Sequence, residues 1–520
     1  MTLVELRLYD VSMERTLFLS WKRKKVLSAT NKGRGTRKGR YTMNLETPLL
    51  IDGAWRAGTH AQRSTVRDPA TGASLGVLTL ASEADMALAL AAAQRGFEVW
   101  RKTSAYDRAK ILVRAADLLR ERAETIAQLI TKEQGKPLAE ARMEAGGAGD
   151  HVDWYAEEGR RAYGRLIPPR QRGARQIVQR EPVGPVAAFS PWNFPVSQLV
   201  RKIAGALAAG CSIIAKGPEE TPSSCIEMCR AFQDAGVPNG ALNLLFGVPA
   251  EVSSYLIQSD VIRKVSFTGS VPVGRALGAL AAQHLKRCTL ELGGHAPFIV
   301  CDDADVAAAA ALGAGLKFRN AGQVCASPTR FFVQSGVYEA FVDAFVNHSA
   351  RLAVGAGHDA ATQMGPLANA RRVDAMSAFV EDARECGATV RTGGARVGGT
   401  DGFYFQPTVL TDVPDAARVM RDEPFGPIAA VARFDTLEEV IARANALPYG
   451  LAAFAFTSSI AAATRLADDL ECGMVSINHF GLAAPETPFG GWKDSGYGSE
   501  GGSEGLDAYL QPKFVSQIGV

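Results

Sequence analysis

The sequence lacks any regular cysteine framework. Its 520 residues include eight cysteines, and no two of them form a C-x-x-C pair. Neither a disulfide-stapled secreted domain nor a zinc ribbon is therefore indicated. Cys225 and Cys229 have i, i+4 spacing on a predicted helix, but no histidine pair accompanies them. We expect reduced thiols in a cytoplasmic protein and no bound metal.

The sequence also lacks an apolar run of the about 18–20 residues that a membrane span needs. Its positive charge is unevenly spread. The whole chain carries +3, while residues 1–43 contain 11 Lys/Arg and 3 Asp/Glu, a balance of +8 that leaves −5 for the rest. Because residues 44–520 carry this net negative charge, we do not expect them to bind nucleic acid or a membrane surface.

Residues 1–43 form a basic stretch that ends in SWKRKKVLSATNKGRGTRKGRYTM and shows no sustained apolar periodicity. We expect a disordered extension, or upstream sequence with Met43 as the true first residue. A transit-like peptide is the alternative, because the stretch contains arginine and serine and few acids.

From Ser82 onward the pattern becomes regular and predicts an α/β protein. SEADMALALAAAQRGFEVWR begins with a Ser-x-x-Asp variant of the capping box and is rich in Ala and Leu. Strand-like runs at 183–189, 211–216, 242–246 and 264–268 are separated by helical segments, and a second alternating region starts near 295. Such alternation is typical of parallel sheets.

One cysteine lies in a stretch unlike the others, GAGLKFRNAGQVCASPTR at residues 313–330. Cys325 follows a loop-like Asn-Ala-Gly-Gln segment, and Arg319 stands six residues ahead of it. From the residues alone, Cys325 could be a core residue, a metal ligand or a nucleophile.

Two polar residues lie in strongly apolar or rigid surroundings. Asn193, in FSPWNFPVSQ, is flanked by aromatic residues and prolines, so its amide could donate to an oxyanion or could simply form an Asx turn. Glu291, in TLELGGHAPFIV, follows apolar strand residues. A buried carboxylate is costly and suggests a tuned base, whereas a solvent-facing edge strand would explain it trivially.

Two strand ends carry residues suited to a nucleotide. Lys216 and Glu219, in IIAKGPEETPSS, could hold ribose hydroxyls or could be a solvated helix start. Gly269 and Ser270, in FTGSVPVGRALG, open a helix whose N-terminus could face a phosphate, although a plain tight turn would look the same. The spacing is not the usual G-x-G-x-x-G.

Each stretch is ambiguous alone, but the set, in this order, resembles the NAD(P)-dependent aldehyde dehydrogenase superfamily. The matching motifs are PWNFP, FTGS, LELGG, FRNAGQVC, EPFGP at 423–427 and PFGGWKDSG at 488–496. The resemblance covers about residues 48–520. The segments EEGRRAYG, KFRNAGQVC and KDSGYGSEGG are similar to those of the semialdehyde dehydrogenase branch, which acts on succinate semialdehyde or 2,5-dioxopentanoate.

The resemblance implies a role for each matching residue. Cys325 would be the catalytic thiol, Glu291 the general base, and Asn193 the oxyanion donor together with the backbone N–H of Cys325. The residues implied to bind the cofactor are Trp192, Lys216, Glu219, Gly269, Ser270, Glu423 and Phe425. Arg161 and Arg319 would bind the distal carboxylate of the substrate.

The implied reaction is oxidation of a small semialdehyde to the dicarboxylic acid through a thiohemiacetal and a thioester on Cys325. Succinate semialdehyde is the expected substrate, with 2,5-dioxopentanoate or glutarate semialdehyde as alternatives. NAD is expected over NADP, because the Glu219 carboxylate suits a 2′-hydroxyl and repels a 2′-phosphate. The loop 479–485 is expected to close the pocket, with His479 as a wall.

Two positions depart from patterns of the family. Gly217 stands where proline is frequent, which leaves Lys216 and Glu219 in register. Ser327 stands where some succinate-semialdehyde enzymes carry a second cysteine, so no local disulfide switch is expected at Cys325.

The implied architecture is a doubly wound NAD-binding domain (44–164 and 183–293), an α/β catalytic domain (294–496) and a β bridging element (165–182 and 497–520). An exposed strand edge in the bridging element would favour a homodimer or homotetramer. A cysteine hydrolase with a Cys325–His295 dyad is the alternative from a different class, because sequence distance cannot exclude it.

Overall fold

Helices alternate with short strands along most of the chain, as the pattern predicts. The computed structural model describes residues 45–519, and the basic extension predicted for 1–43 lies outside the described residues. The described residues belong to one compact unit, 43–520. The first eleven strands are β1 (Leu49–Ile51), β2 (Ala54–Arg56), β3 (Arg63–Arg67), β4 (Ser74–Thr79), β5 (Arg165–Ile167), β6 (Ala174–Pro182), β7 (Val186–Phe189), β8 (Ile213–Lys216), β9 (Leu242–Leu245), β10 (Lys264–Thr268) and β11 (Arg287–Glu291).

The second half of the chain contributes eleven further strands. They are β12 (Ala296–Val300), β13 (Pro328–Gln334), β14 (Thr389–Thr392), β15 (Thr408–Thr411), β16 (Ile428–Phe434), β17 (Tyr449–Gly450), β18 (Ala452–Phe456), β19 (Met474–Ile477), β20 (Trp492–Lys493), β21 (Gly496–Tyr497) and β22 (Leu510–Ile518).

The helices cover the faces of the sheets. They are α1 (Glu83–Trp100), α2 (Ala105–Glu121), α3 (Ala123–Gln134), α4 (Leu138–Arg160), α5 (Pro195–Ala209), α6 (Pro222–Asp234), α7 (Pro249–Gln258), α8 (Val271–Gln283), α9 (Val306–Phe318), α10 (Tyr338–Ala350), α11 (Ala370–Glu385), α12 (Arg418–Arg421), α13 (Leu437–Asn445), α14 (Ile460–Asp469) and α15 (Gly502–Asp507). Short 3₁₀ turns follow α9 and precede α10. None of the helices in residues 45–519 is both long and apolar enough to cross a membrane.

The N-terminus of α1 shows how local sequence sets an element boundary. The Ser82 hydroxyl accepts from the Asp85 N–H at 3.3 Å, while the Asp85 carboxylate accepts from the Ser82 N–H at 2.9 Å. The predicted capping-box variant is therefore confirmed, and it satisfies two backbone donors that the first turn leaves without helical partners.

The first large sheet has eight strands in the order β2-β1-β9-β8-β7-β10-β11-β21. The five central strands, from β9 to β11, are parallel, whereas β1, β2 and β21 pair antiparallel. Strands β7 to β10 are apolar and buried on both faces, as expected for parallel strands covered by helices. The predicted α/β class is confirmed, and the predicted strand at 264–268 has the bounds of β10.

The second large sheet has seven strands in the order β14-β15-β16-β13-β12-β18-β19, all parallel except β14. It has a separate apolar core, drawn from residues between Ala296 and Phe489. The core of the first sheet draws on residues from Leu45 to Leu292 and from Leu506 to Leu510.

A third, three-stranded antiparallel sheet has the order β22-β6-β5. Strand β22 pairs with β6 along nine residues, from Leu510 opposite Pro182 to Ile518 opposite Ala174. Residues 496–497 instead join the eight-stranded sheet as β21. The first residue of the segment predicted for the bridging element (497–520) therefore belongs to the eight-stranded sheet and not to the three-stranded one. The assignment of functions to the three sheets stays a prediction.

Candidate active site

The predicted site residues gather where the parallel strands of the first sheet end. Phe189 ends β7 opposite Lys216, the last residue of β8, and Thr268 ends β10 opposite Glu291, the last residue of β11. Strand β7 lies between β8 and β10. The chain runs from β7 to β8 and β9 on one side and then crosses to β10 and β11 on the other side. Such a switch point opens a crevice outside the carboxyl ends of the strands, which is where α/β proteins bind ligands.

A cavity of about 410 Å³ occupies this crevice. Eight of the residues predicted for the site line it: Trp192, Asn193, Gly269, Ser270, Glu291, Cys325, Glu423 and Phe425. Gln198 and Arg372, which the sequence did not single out, line it as well. The motifs are up to 232 positions apart in the sequence, and folding brings them together around one space.

An aromatic pair forms one wall of this first cavity. The rings of Trp192 and Phe425 meet edge to face, with centroids 5.8 Å apart. Arg372 donates to the backbone carbonyls of Pro424 and Phe425, and its guanidinium lies 5.9 Å from the Phe425 ring centroid. Phe425 has a positive φ of 45°. Arg372 therefore supports a strained aromatic residue that a flat ligand ring could contact.

Lys216 and Glu219 form an ion pair at the edge of the sheet. Lys216 Nζ lies 2.6 Å from Glu219 Oε2, and Glu219 Oε1 accepts from the Gly247 N–H at 3.0 Å. The carboxylate is thus held in place by a cation and a backbone donor. It keeps free lone pairs, because each carboxylate oxygen can accept more than one hydrogen bond.

Two glycines let Glu423 and the Cys325 segment approach strand β11. A Cβ on Gly293 would lie 2.2 Å from Glu423 Oε2, and a Cβ on Gly294 would lie 2.7 Å from the carbonyl oxygen of Cys325. The Gly294 N–H donates to Glu423 Oε1 at 3.2 Å. Burial raises the pKa of Glu423 to about 7, although this hydrogen bond opposes the shift.

Glu291 is buried, and neither carboxylate oxygen has a hydrogen-bond partner among the described residues. Burial raises its pKa well above the ordinary value, and the neighbouring Glu500 adds to the shift, while Lys202 and Arg201 oppose it. Lys202 forms a buried ion pair with Glu500 and donates to Thr268 at 2.8 Å. A buried carboxyl with a raised pKa and no hydrogen-bond partner among the described residues is a candidate for a group that accepts a proton.

The Cys325 segment and the turn that carries Asn193 are joined by amide hydrogen bonds. Asn193 Nδ2 donates to the Gln323 carbonyl at 3.0 Å, and Asn320 Nδ2 donates to the Asn193 carbonyl at 3.1 Å. Asn320 and Ala321 both have positive φ, 49° and 52°. Two non-glycine residues in this region indicate strain that the surrounding bonds hold in place.

The Cys325 thiol is a neutral group at physiological pH in this environment. Burial raises its pKa to about 12, and the nearby carboxylates of Glu423 and Glu291 add to the shift. Because the thiolate is the nucleophile, this cysteine needs a base to accept its proton.

A buried ion pair lies under the Asn193 turn. Lys136 Nζ is 2.6 Å from Glu144 Oε2 and donates to the Asn193 carbonyl at 2.7 Å, and both side chains of the pair are fully buried. Glu144 Oε1 accepts from the backbone N–H groups of Val196 and Ser197 at 3.0 and 3.2 Å, at the start of α5. The pair thereby fixes the turn between β7 and α5.

A second cavity, of about 360 Å³, lies on the other side of Cys325. Cys325 and Gln198 line both cavities. The second cavity is lined by aromatic and aliphatic side chains, two arginines and the loop after β19: Phe194, Ser197, Gln198, Arg201, Leu316, Arg319, Val324, Cys325, Ala326, Ser327, Phe454, Phe480, Gly481, Leu482, Ala483, Ala484 and Phe489.

Arg201 and Arg319 are the two cations of this cavity. Neither forms an ion pair with a carboxylate within residues 45–519. Arg201 is 8% exposed, and its guanidinium lies 5.0 Å from the Phe489 ring centroid. The Arg319 guanidinium lies 5.3 Å from the centroid of Phe194. An anion entering this cavity would meet two positive charges that aromatic rings hold in place.

Two of the predicted substrate contacts do not line this cavity. Arg161 ends α4, forms an ion pair with Glu158 and lies 5.8 Å from the centroid of Trp154. His479 is exposed and accepts from the Gly481 N–H at 3.0 Å, while residues 480–484 form the wall. Arg161 and His479 therefore lie outside the lining of the second cavity, and the arginine that lines it together with Arg319 is Arg201.

Comparisons with known proteins match this geometry to one family. The family model of the aldehyde dehydrogenase family matches residues 55–515. The chain belongs to the aldehyde dehydrogenase family. It is an oxidoreductase of the kind that uses NAD(P), as its motifs predicted.

Three similar proteins illustrate the range of substrates among its relatives. A 4-(hydroxymethyl)benzenesulfonate dehydrogenase of Comamonas testosteroni is 54% identical over 90% of this chain and 98% of its own length. A 3-sulfolactaldehyde dehydrogenase of Pseudomonas putida is 40% identical over 92% of this chain and 98% of its own. The crystal structure of a succinate-semialdehyde dehydrogenase from Burkholderia pseudomallei is 41% identical, with a TM-score of 0.90, over 93% of this chain and 100% of that one.

His295 is placed where it cannot form a dyad with the Cys325 of this aldehyde dehydrogenase. Its Nδ1 shares a hydrogen bond with the Thr329 hydroxyl, and its Nε2 lies 3.1 Å from the Val419 carbonyl. Both ring nitrogens are therefore engaged, and His295 lines neither cavity that contains Cys325. The structure gives no support to the cysteine-hydrolase alternative.

The first cavity of this aldehyde dehydrogenase suits a nicotinamide dinucleotide. Ser270 precedes α8 without capping it, so the first N–H groups of a 13-residue helix are available to a phosphate. Trp192 and Phe425 provide an apolar wall, whereas Lys216 and Glu219 do not line this cavity, and their contact with a ribose stays a prediction. Within residues 45–519, no group of three or more His, Cys, Asp or Glu side chains is placed to hold a metal ion.

Arg201 and Lys202 were detectable from the sequence, although we did not single them out. They interrupt PVSQLVRKIAGALAA, a helix whose other positions are almost all apolar or small, and nearly all of it is buried. Adjacent charges in a buried helix are costly and call for partners or a function. Gln198 lies one turn earlier on the same helix, and nothing in its local sequence marks it.

Proposed function

We propose that this enzyme oxidises aldehydes that carry an anionic group at the end away from the carbonyl, with NAD as the hydride acceptor. The supporting observation is that Arg201 and Arg319 line the cavity that reaches Cys325 and that neither forms an ion pair with a carboxylate among residues 45–519. Guanidinium groups bind carboxylates and sulfonates through charge-assisted hydrogen bonds, which are strongest where water is excluded.

The residues around Cys325 supply the chemistry of aldehyde oxidation. The Cys325 sulfur attacks the carbonyl carbon and forms a thiohemiacetal, while the ionised Glu291 accepts the thiol proton. Asn193 Nδ2 uses one hydrogen on the Gln323 carbonyl, so its second hydrogen is left for the developing oxyanion, together with the Cys325 backbone N–H.

The second half of the reaction leaves the acid product. The residues that line the first cavity, Trp192 and Phe425 among them, would hold the nicotinamide, which would supply the hydride acceptor for the tetrahedral carbon. Loss of that hydride would leave a thioester on Cys325. Glu291 passes the thiol proton to solvent and is ionised again before it takes a proton from water. The resulting hydroxide attacks the thioester carbon, and the C–S bond breaks, which releases the carboxylic acid and returns the Cys325 thiolate. The buried Lys202–Glu500 pair behind Glu291 holds its surroundings polar through both proton transfers.

Glu219 favours NAD over NADP. Its carboxylate is fixed by Lys216 and the Gly247 N–H, so it cannot easily turn away from the adenosine ribose. A 2′-phosphate would bring at least one further negative charge beside it, and that repulsion is weakly screened at a partly buried site. The 2′-hydroxyl of NAD can instead donate a hydrogen bond to the carboxylate.

Among anionic aldehydes, we place an aryl sulfonate ahead of succinate semialdehyde. The second cavity has four phenylalanines, Phe194, Phe454, Phe480 and Phe489, which suit an aromatic ring between the two polar ends. The relative at 54% identity is named for an aryl sulfonate with a benzylic alcohol. The corresponding aldehyde, 4-formylbenzenesulfonate, is the oxidation state that a thiol can attack.

A panel of aldehydes tests this proposal. We expect kcat/KM, measured as NADH formed at 340 nm, to be highest for 4-formylbenzenesulfonate, followed by succinate semialdehyde, glutarate semialdehyde and 2,5-dioxopentanoate. Uncharged 4-methylbenzaldehyde serves as the matched control. Losing one charged hydrogen bond costs about 1.5–3 kcal/mol, so Arg201→Met should lower kcat/KM about 10- to 150-fold for the charged substrates alone. Equal rates for charged and uncharged aldehydes in the native enzyme would contradict the proposal.

We further propose that the enzyme works as a homodimer or homotetramer in the cytoplasm. Strand β22 is an edge of the three-stranded sheet, and its Phe514 and Ile518 are 59% and 58% exposed. An open strand edge with exposed apolar side chains favours pairing with another copy of the chain.

A further inference from the structure

Arg201 is held in one orientation by contacts on three sides. Its Nη2 donates to the Ala483 carbonyl at 3.1 Å, in the loop that forms one wall of the second cavity. Its guanidinium carbon lies over the ring of Phe489, 5.0 Å from the ring centroid. Its Nε donates to Nε2 of His151 at 3.4 Å. Two of the five guanidinium N–H groups are thereby used, and three are left for the cavity.

His151 belongs to α4, which packs against α5, and its side chain is buried behind Arg201. An arginine Nε can only donate, so Nε2 of His151 must be the unprotonated nitrogen, and the proton of the neutral ring lies on Nδ1. Burial, helped by the charge of Arg201, lowers the pKa of His151 to about 3. The ring is therefore a neutral acceptor throughout the pH range of the enzyme.

The other ring nitrogen of His151 shows that this residue is not an ordinary core side chain. Nδ1 is buried and has no hydrogen-bond partner among the described residues. Leaving a buried N–H unpaired destabilises the fold, and an aromatic ring without nitrogen would fill the same space at no such cost. Among residues 45–519, the hydrogen bond to Arg201 is the one that the His151 ring makes, and it accounts for a histidine at this position.

We propose that His151 is a positioning residue that fixes the direction of the Arg201 guanidinium and thereby sets the preference for anionic aldehydes. This inference rests on the proposed function, because it assigns Arg201 to the anionic end of the substrate. Without an acceptor behind Nε, the buried guanidinium turns to find another partner, and its free N–H groups no longer converge on the anion.

The test compares His151→Phe, which keeps the ring and removes the acceptor, with His151→Gln, which keeps a neutral acceptor. For 4-formylbenzenesulfonate we expect His151→Phe to lower kcat/KM by about 10-fold, mainly through KM. With 4-methylbenzaldehyde the same variant should stay within about twofold of the native enzyme, because no anion is bound. His151→Gln should retain most of the activity on the charged substrate. If His151→Phe is insoluble, His151→Leu replaces it.

Two results would overturn the inference. One is a loss of equal size for the charged and uncharged aldehydes, which would make His151 a purely structural residue. The other is a His151→Phe enzyme with native kcat/KM for the sulfonate. Arg201→Met, measured beside it, separates the two proposals. If Arg201→Met lowers kcat/KM equally for both aldehydes, the proposed function fails. If Arg201→Met affects mainly the charged aldehyde but His151→Phe affects both equally, only the role of His151 fails.

Discussion

Replacing Lys136 by methionine removes a buried cation that supports the Asn193 turn. Lys136 Nζ is 2.6 Å from Glu144 and 2.7 Å from the Asn193 carbonyl, and it lies 3.8 Å from the Phe194 ring centroid. Methionine has a similar length and is apolar, so the space stays filled. The change therefore isolates the loss of charge and of two hydrogen bonds from the loss of packing.

The structure sets the size of the expected loss. Breaking a buried ion pair by removing one partner costs about 3–5 kcal/mol, because the remaining charge is uncompensated. Glu144 keeps the N–H groups of Val196 and Ser197 as donors, so we expect the lower end, about 3 kcal/mol. The free energy of unfolding is measured by urea titration of Lys136→Met, Glu144→Leu and the double variant.

The double variant decides between a coupled pair and two independent residues. In the double variant Glu144 is no longer present as an uncompensated buried charge, so the loss of unfolding free energy should be smaller than the sum of the two single losses by about 2 kcal/mol. Additive losses, within about 0.5 kcal/mol, would refute this reasoning. In Lys136→Met the Asn193 amide also loses its fixed position, so kcat should fall about 10-fold or more. Binding of NAD should be unchanged, since Lys136 does not line the first cavity.

Three further predictions address the base, the cofactor and the assembly. Since the pKa of Glu291 is raised, the group is protonated at low pH and kcat/KM should rise as pH increases through that pKa, whereas Glu291→Gln should abolish the rise and lower kcat about 10²–10⁴-fold. Glu219→Thr should raise kcat/KM with NADP relative to NAD by about 10-fold or more, because it removes the charge that repels the 2′-phosphate, and an unchanged ratio would contradict the role of Glu219. Phe514→Glu places a charge on the open edge of β22 and should lower the molar mass measured by light scattering, while Lys513→Glu, on the same strand, controls for a general effect of charge.

The sequence predicted the parts of the site whose chemistry is carried by short, contiguous motifs. The strand at 264–268, the capping box at Ser82 and the convergence of eight predicted residues on one cavity all follow from local pattern and family resemblance. These features depend on residues close to one another in the chain, or on strand ends that a parallel sheet must bring to one edge.

The sequence did not predict which side chains point into the second cavity. Arg161 and Arg201 are both helical arginines, and only the packing of α4 on α5 decides which one faces the cavity. Arg161 directly follows the last residue of α4 and pairs with a glutamate three residues earlier. Arg201 is in the buried middle of α5, where it forms no ion pair with a carboxylate among residues 45–519. His151 was missed for the same reason, because its role depends on a residue 50 positions later that it meets across a helix interface.

In the proposed function, two segments hold the two ends of the substrate, and each segment carries one group assigned to the reaction and one cation. Asn193 precedes α5 and Arg201 lies within that helix, while Arg319 and Cys325 bracket a strained loop of five residues. From Pro195 to Arg201 the helix rises about 9 Å, and the arginine side chain leans back toward the N-terminus, which shortens the gap. The helix is rigid, so the distance between oxyanion donor and guanidinium is fixed. An aldehyde of the wrong length can place its carbonyl at the oxyanion donor or its anionic group at the guanidinium, but not both at once. The length of the substrate should therefore matter as much as its charge.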